Sequence, residues 1–306
     1  MKIYTITLNP AYDVHADAER LLPGHENLAR IIRRDAGGKG INISRALTFN
    51  DVENTAIVVL GKENCTDFKA SLATDGINYV AIEQNGRIRE NLTVHTKSGE
   101  TRISFTDFTL DNTVLDEISA LIKADRDTAV TFTGSVPNGI DMPIIKSFLA
   151  DLSSKGTRIV IDSRSFGISD LVELKPWLIK PNSEEIAHYS GREVTEFSDC
   201  LEFAKRLNRE GIENVMISLG DKGALLVTEG TAAVAIPPQI NALSTIGAGD
   251  SAIAGFIGAY SSGNSPEECL RQAVSYGTAA CLVDGTTPPT PDNVAQIYKK
   301  VKIKNL

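Results

Sequence analysis

The chain has 306 residues, 42% of them hydrophobic and 23% charged, proportions that suit one large globular domain with a full core. Its net charge of −8 and isoelectric point of about 5.2 argue against a nucleic-acid partner, since the basic runs are only Arg33-Arg34 and Lys299-Lys300-Val301-Lys302-Ile303-Lys304. Four scattered cysteines, Cys65, Cys200, Cys269 and Cys281, make no C-x-x-C pair or metal spacing, and with no signal-peptide pattern or membrane-length apolar run a cytoplasmic protein with free thiols is expected.

Residues 2–8 alternate and are β-branched, a strand pattern that stops at Asn9-Pro10. The segment 12–34 reads as short strands outside the main sheet. Asp13 lies just past the first strand's C-terminal end, the edge at which open α/β sheets bind ligands. Asp35-Ala36-Gly37-Gly38-Lys39-Gly40-Ile41-Asn42 is a glycine-rich loop that opens a helix over about 41–49. It is not a Walker A loop, because Gly40 follows the lysine and Arg33 stands where the first glycine is required. No Gly-x-Gly-x-x-Gly follows the first strand, which excludes a nicotinamide-binding unit. The loop is either a solvated turn or a place where backbone approaches a polar ligand with one cation beside it.

Strands at 55–60 and 79–82 enclose a helix at 64–74. Asn85-Gly86 and Ser98-Gly99 are hairpin-type turns beside strands at 88–97 and 100–106. With 12–34 these form a small β layer set into the α/β body. Arg87, Arg89 and Asn91 lie on it, either as edge charge that deters aggregation or as ligand contacts. Helix 111–123, strand 129–133, helix 141–155, strand 158–162, a short helix near 165–172 and a strand at 177–180 follow. Pro181-Asn182-Ser183-Glu184-Glu185 opens a helix with Asn182 as N-cap. The carboxylates there either serve the helix dipole or, as Asn182 and Glu185 at a strand end, hold a hydrated Mg²⁺.

Helix 198–210, strand 215–219 and a hairpin of 224–228 and 232–236 lead to Ser244-Thr245-Ile246-Gly247-Ala248-Gly249-Asp250, which runs into an apolar helix. Successive N–H groups at that helix start make an anion site; Asp250 in the first turn is either a cap or a base beside a bound phosphate. Ser265-Pro266-Glu267-Glu268 is a capping box for a helix to about 282, and 292–301 is the last helix, with the C-terminal lysines as its solvated end. Repeated β–α alternation with apolar strands predicts an α/β fold with a mainly parallel sheet covered by helices, in one domain over 1–306.

Asp13 with Gly37–Asn42, Asn182–Glu185 and Gly247–Asp250 all gather at predicted strand ends. An anion hole, a carboxylate and a candidate Mg²⁺ site suit phosphoryl transfer, which asks for positioning and charge neutralisation. On Gly37-Gly38-Lys39-Gly40-Ile41-Asn42, Lys180-Pro181-Asn182-Ser183-Glu184-Glu185 and Ser244–Asp250, in that order and spacing, the chain resembles the ribokinase-like PfkB carbohydrate kinases along essentially its whole length. The opening Thr5-Ile6-Thr7-Leu8-Asn9-Pro10-Ala11-Tyr12-Asp13 and Ser244 resemble the phosphosugar branch, which holds 1-phosphofructokinase, tagatose-6-phosphate kinase and the minor 6-phosphofructokinase.

The resemblance implies a ribokinase-like fold with a small inserted β-sheet lid, formed by about 10–35 and 86–108. It implies an ATP-dependent kinase of a ketose phosphate, with fructose 1-phosphate ahead of tagatose 6-phosphate and fructose 6-phosphate, and an unphosphorylated sugar or nucleoside behind them. The intact Asp250, glycine loop and Glu185 speak against a catalytically dead sensor. Asp250 would be the base, and the N–H groups of Gly247, Ala248 and Gly249 would stabilise the transferring phosphate. Asn182 and Glu185 would organise Mg²⁺ through water. Lys180, Ser218, Gly220 and Gly223 would line the nucleotide, with Ala273 and Gly277 near the adenine. Asp13 would hold sugar hydroxyls, helped by Gly38, Lys39 and Asn42. Lys39 and Arg89, with Asn91, would take the substrate's own phosphate. A monovalent cation and a homodimer through the lid also fit the resemblance.

The lid departs from the branch. Where 1-phosphofructokinases read close to Thr-Arg-Ile-Asn-Val-Lys, this chain has Ile88-Arg89-Glu90-Asn91-Leu92-Thr93. Arg and Asn are kept, Glu90 is expected to point away from Arg89 along a strand, and Thr93 stands in place of a lysine.

Overall fold

The computed structural model describes residues 1–106, 108–191 and 196–306; position 107, at the trailing end of the expected lid, lies outside them. The chain opens with β1 (Lys2–Thr7), leaves the main sheet for β2 (Ala11–Ala18) and β3 (Ala29–Gly37), and returns through α1 (Lys39–Phe49) to β4 (Thr55–Gly61), α2 (Cys65–Thr74) and β5 (Tyr79–Gln84). A second excursion gives β6 (Arg89–Thr96) and β7 (Gly99–Ser104). Then come α3 (Val114–Leu121), β8 (Thr128–Thr133), α4 (Met142–Ser154), β9 (Arg158–Asp162), α5 (Ile168–Leu174), β10 (Leu178–Ile179), α6 (Ser183–Ser190), α7 (Phe197–Arg209) and β11 (Asn214–Ser218). β12 (Ala224–Val227), β13 (Ala232–Ile236), α8 (Ala248–Ser261), α9 (Pro266–Ala280), α10 (Pro291–Tyr298) and β14 (Lys302–Asn305) complete it.

Ten strands form the main sheet in the order β14-β13-β12-β11-β10-β9-β8-β1-β4-β5. Neighbours from β5 to β11 run parallel, and β12 to β14 are added antiparallel. The apolar runs at β4 and β8 are explained by helices on both faces, since β8 is buried throughout. One face packs Phe132, Ile161 and Val215 under α3, α4 and α7; the other packs Val160, Met216 and Leu226 under α1, α8 and α9. Gly255 lets α8 and α9 meet, because a Cβ there would stand 2.6 Å from the Gln272 carbonyl oxygen. β1 lies between β4 and β8, so the strand order reverses at β1. The crevice that such a reversal leaves at the strands' C-terminal ends is the usual ligand site of an open α/β sheet.

The second sheet has the order β3-β2-β6-β7, with β2 and β6 parallel and the other pairs antiparallel. One face seats Tyr12 and Val14 on Phe68 and Leu72 of α2, Tyr12 meeting Phe68 edge-on at 5.1 Å. The opposite face carries Asp13 and Asn91. Along its edges Leu28, Ile31, Ile32, Ile103 and Phe105 are exposed.

Two expectations are corrected. Asn85-Gly86 is not a hairpin turn: β5 pairs with β4 in the main sheet, and the chain crosses there to the second sheet. The C-terminal lysine run is a helix end only at Lys299 and Lys300, which close α10, because Lys302–Asn305 forms β14 and pairs with β13. Lys302-Ile303-Lys304 alternates with period two, and lysines on an outermost strand block further pairing. Among the described residues no helix is long and apolar enough to cross a membrane.

Phe256 of α8 is 1% exposed and its ring lies 5.8 Å from that of Trp177, the sole tryptophan. Phe256→Ala is expected to cost about 3–5 kcal/mol, read as a lower urea midpoint by Trp177 fluorescence.

Candidate active site

β9, wedged between β8 and β10, ends on Asp162. The Asp162 side chain is 5% exposed and lies between two lysines. Lys39, the first residue of α1, reaches Oδ2 at 2.9 Å; Lys180, just past β10, stands 3.8 Å from Oδ1. Burial pushes this carboxyl up, but Lys180 and Lys39 outweigh burial and hold it below the usual carboxylate range. In return Lys39 is raised: burial works against its charge, and Asp162 and Asp250 prevail. Lys39 therefore sits with Lys180 around Asp162. Asp162 was missed in the sequence, where a charged residue closing an apolar strand at the ligand edge was the available signal.

α8 begins after Gly247, which takes φ +77 and supplies no side-chain cap. The N–H groups of its first turn thus lack intrahelical partners. Lys180 lies against this turn, since a Cβ on Gly249 would stand 3.0 Å from its Nζ. Asp250, in the same turn, is 6% exposed and does not cap the helix; Oδ2 accepts from Asn42 Nδ2 at 2.9 Å. Asn42 is held in turn by Arg45, which donates to its Oδ1 at 3.3 Å and is anchored on Asp75 and the Ala36 carbonyl. Burial pushes Asp250 up to about 6; Lys39, Asn42 and Lys180 pull it down and Asp162 adds to the rise. A carboxyl poised near neutrality beside an anion-favouring helix start can accept a proton at working pH.

On the second sheet Asp13, Asp35 and Asn91 are in register. Asp13 Oδ1 accepts from Asn91 at 2.9 Å and lies 3.5 Å from an Arg102 guanidinium nitrogen. Gly37 leaves room for that carboxylate, because a Cβ there would overlap it. Arg89 donates to Asn91 Oδ1 at 3.2 Å, while its buried Nε has no partner among the described residues. Burial lowers its pKa, Asp13 opposing and Arg102 adding to the shift. A half-buried guanidinium with an unused donor is prepared for an anion. Glu90 does turn away, pairing at 2.9 Å with Arg34, whose guanidinium covers the Tyr12 ring. Thr93 is buried opposite Arg102 of β7. Arg102 thus brings a cation to the place where the motif lacks its lysine, a compensation set by strand register and invisible along one strand.

Asn182 and Glu185 form a reciprocal capping box at the start of α6: Asn182 Oδ1 accepts from the Glu185 N–H at 2.8 Å and Glu185 Oε2 from the Asn182 N–H at 3.1 Å. Glu185 Oε1 accepts from Arg164 at 3.0 Å, and the side chain lines a cleft with Asp162, Ser163, Lys180 and Tyr189. With those donors in place, and no ligating cluster of three His, Cys, Asp or Glu among the described residues, an all-protein cage does not fit. A hydrated Mg²⁺ carried mainly by water and nucleotide phosphate does.

Ser218 follows Asn182 closely, its N–H donating to the Pro181 carbonyl at 3.0 Å. Gly220 and Gly223, at φ +62 and +95, make the turn into β12, and a Cβ on Gly223 would strike the Ala235 carbonyl. Ala273 of α9 is wholly buried in the core. Gly277, one turn on, is partly exposed and lets α9 approach the start of α8, with a Cβ position 3.1 Å from the Ala248 carbonyl oxygen. Gly38, at φ +139, and Gly40, whose Cβ would stand 2.7 Å from the Ile6 carbonyl oxygen, seat α1 against the end of β1.

The sequence profile of the pfkB family carbohydrate kinases matches residues 5–293. The chain belongs to the pfkB family of carbohydrate kinases. It is 34% identical over 286 residues to the 1-phosphofructokinase of Escherichia coli (strain K12), covering 91% of this chain and 90% of that one. Phosphofructokinase-2 from Escherichia coli, solved in complex with substrates and products, superposes with a TM-score of 0.91 at 26% identity over 98% of this chain and 99% of its own. The tetrameric inhibited form of phosphofructokinase-2 superposes at 0.87, with 26% identity over 97% and 98% of the two chains. The fold is ribokinase-like, and this carbohydrate kinase is a phosphotransferase that uses ATP and acts on a hydroxyl group.

In this kinase Asp250 is expected to titrate near 6, and Asn42→Ala to move it upward, because the amide donor favours the ionised form. Carboxyl NMR of aspartate-labelled protein checks both values.

Proposed function

We propose that the enzyme transfers the γ-phosphoryl group of ATP to the 6-hydroxyl of fructose 1-phosphate. The observation that carries this reading is the pair of guanidiniums, Arg89 and Arg102, beside Asp13 on the inner face of the second sheet. Asp13 suits sugar hydroxyls, and the unused Arg89 donor suits an anion that a free sugar lacks. Similarity to the 1-phosphofructokinase of Escherichia coli favours fructose 1-phosphate over tagatose 6-phosphate and fructose 6-phosphate.

The chemistry follows from the residues. Asp250 takes the proton of the sugar hydroxyl, whose oxygen bonds to the γ-phosphorus. The bond from that phosphorus to the β-phosphate oxygen breaks, and its electrons leave with ADP. The N–H groups at Gly247–Gly249, with Lys39 and Lys180 alongside, meet the charge on the phosphoryl oxygens. Mg²⁺, held through water by Asn182 and Glu185, would neutralise the nucleotide phosphates. The second sheet acts as a lid that excludes water, so that ATP is not hydrolysed. Its exposed apolar edges, Leu28, Ile31 and Ile32 on one side and Ile103 and Phe105 on the other, suit a second copy of the chain.

A coupled assay of ADP release with Mg-ATP tests the reading against fructose 1-phosphate, fructose 6-phosphate, tagatose 6-phosphate, fructose and ribose. The highest kcat/KM is expected with fructose 1-phosphate; activity on free sugars alone would contradict it. Arg89→Ala and Arg102→Ala are each expected to raise KM for fructose 1-phosphate by about ten- to a hundredfold. Unchanged KM in both would move the substrate phosphate elsewhere.

A further inference from the structure

One lid cation outside the substrate-phosphate pocket reaches the main body. Arg33 lies on β3 in register with His15, and its Nε donates to Asp35. Its guanidinium reaches the main body and lies over Gly285, where a Cβ would stand 3.4 Å from Nη2 and 3.8 Å from Cζ and Nη1. Gly285 takes φ +58, so conformation and contact both favour the missing side chain. The next residue, Thr286, backs the turn that starts α8: a Cβ on Gly247 would stand 3.8 Å from its Cα. A lid cation thus comes to the flank of the uncapped helix start, paired with Asp35, whereas Arg102 pairs with Asp13.

Charges on edge strands commonly do no more than block unwanted pairing, and such charges face water. On β3 Arg30 and Arg34 follow that pattern, but Arg33 does not. Arg33 has a side chain 34% exposed, while the neighbouring Ile31 is 65% exposed. Arg33 is turned toward Gly285 of the main body rather than out to water. A planar guanidinium with several donors suits phosphate oxygens better than a lysine would.

We propose that Arg33 is a catalytic residue: the lid presents its guanidinium to the γ-phosphoryl group in transit from nucleotide to sugar, and Asp35 holds that guanidinium while the site is empty. This rests on reading the Gly247 turn as the γ-phosphate site. Arg33 makes and breaks no bond. As the sugar oxygen bonds to phosphorus and ADP leaves with the electrons of the broken bond, Arg33 shares the charge on the phosphoryl oxygens, and the proton goes to Asp250. Because the charge rides on the lid, it is in place only when water is shut out.

Wild-type turnover with fructose 1-phosphate and the other sugar phosphates tests the kinase reading by itself; no turnover with any would sink that reading whatever Arg33 does. Given turnover, Arg33→Ala is expected to lower kcat by about a hundredfold or more. Calorimetry is expected to show affinities for ADP and fructose 1-phosphate within about threefold of wild type, while affinity for ADP with aluminium fluoride, a mimic of the phosphoryl group in flight, falls about a hundredfold. Arg33→Lys, with charge but no fork, is expected to recover kcat to within about tenfold. A kcat for Arg33→Ala within about threefold of wild type, or a raised KM for the sugar with kcat unchanged, would overturn the proposal and leave Arg33 as a latch between lid and body.

Discussion

The Asp162 carboxylate is the interaction on which the rest of the site depends. It is buried at the end of β9 and faces Lys39, which opens α1, and Lys180, which follows β10. Two ammonium groups that close would repel each other; a carboxylate between them offsets that repulsion and fixes where they point. Such a pair is a weak source of net stability, yet removing one partner leaves buried charge uncompensated, at about 3–5 kcal/mol. The arrangement therefore makes sense as positioning. It also raises Asp250 slightly further, because a second buried carboxylate nearby disfavours ionisation. One group thus bears on both the cations that meet phosphate and the base that takes the proton.

The second sheet solves a different problem, the recognition of a substrate that is itself an anion. It does so on one face by strand register. Asp13, Asn91, Arg89 and Arg102 come from three strands and meet only because β2, β6 and β7 pair as they do. Gly37 gives the Asp13 carboxylate its space. The opposite face, with Tyr12 on Phe68, ties the sheet to α2 so that the polar face is held over the crevice.

Much of this was legible in the sequence. Local signals mark the strands of the main sheet other than β14, the Asn182 and Ser265 caps and the glycine-opened helices, because each depends on neighbours in the chain. Glu90 was rightly read as facing away from Arg89, since alternation along a strand is a local rule. What depends on pairing between distant segments was not legible. Arg102 acts from the strand beside Thr93, Lys39 is drawn to Asp162 across the sheet, and β14 exists only because β13 offers an edge.

The most direct measurement is the steady-state kinetics of Asp162→Asn with ATP and fructose 1-phosphate varied in turn, on protein shown by circular dichroism to be folded. If Asp162 positions both lysines, kcat/KM falls by about a hundredfold or more for both substrates together, as expected when a unit that acts in the transition state is broken. A loss confined to one substrate, or kcat/KM within about threefold of wild type for both, would contradict the account.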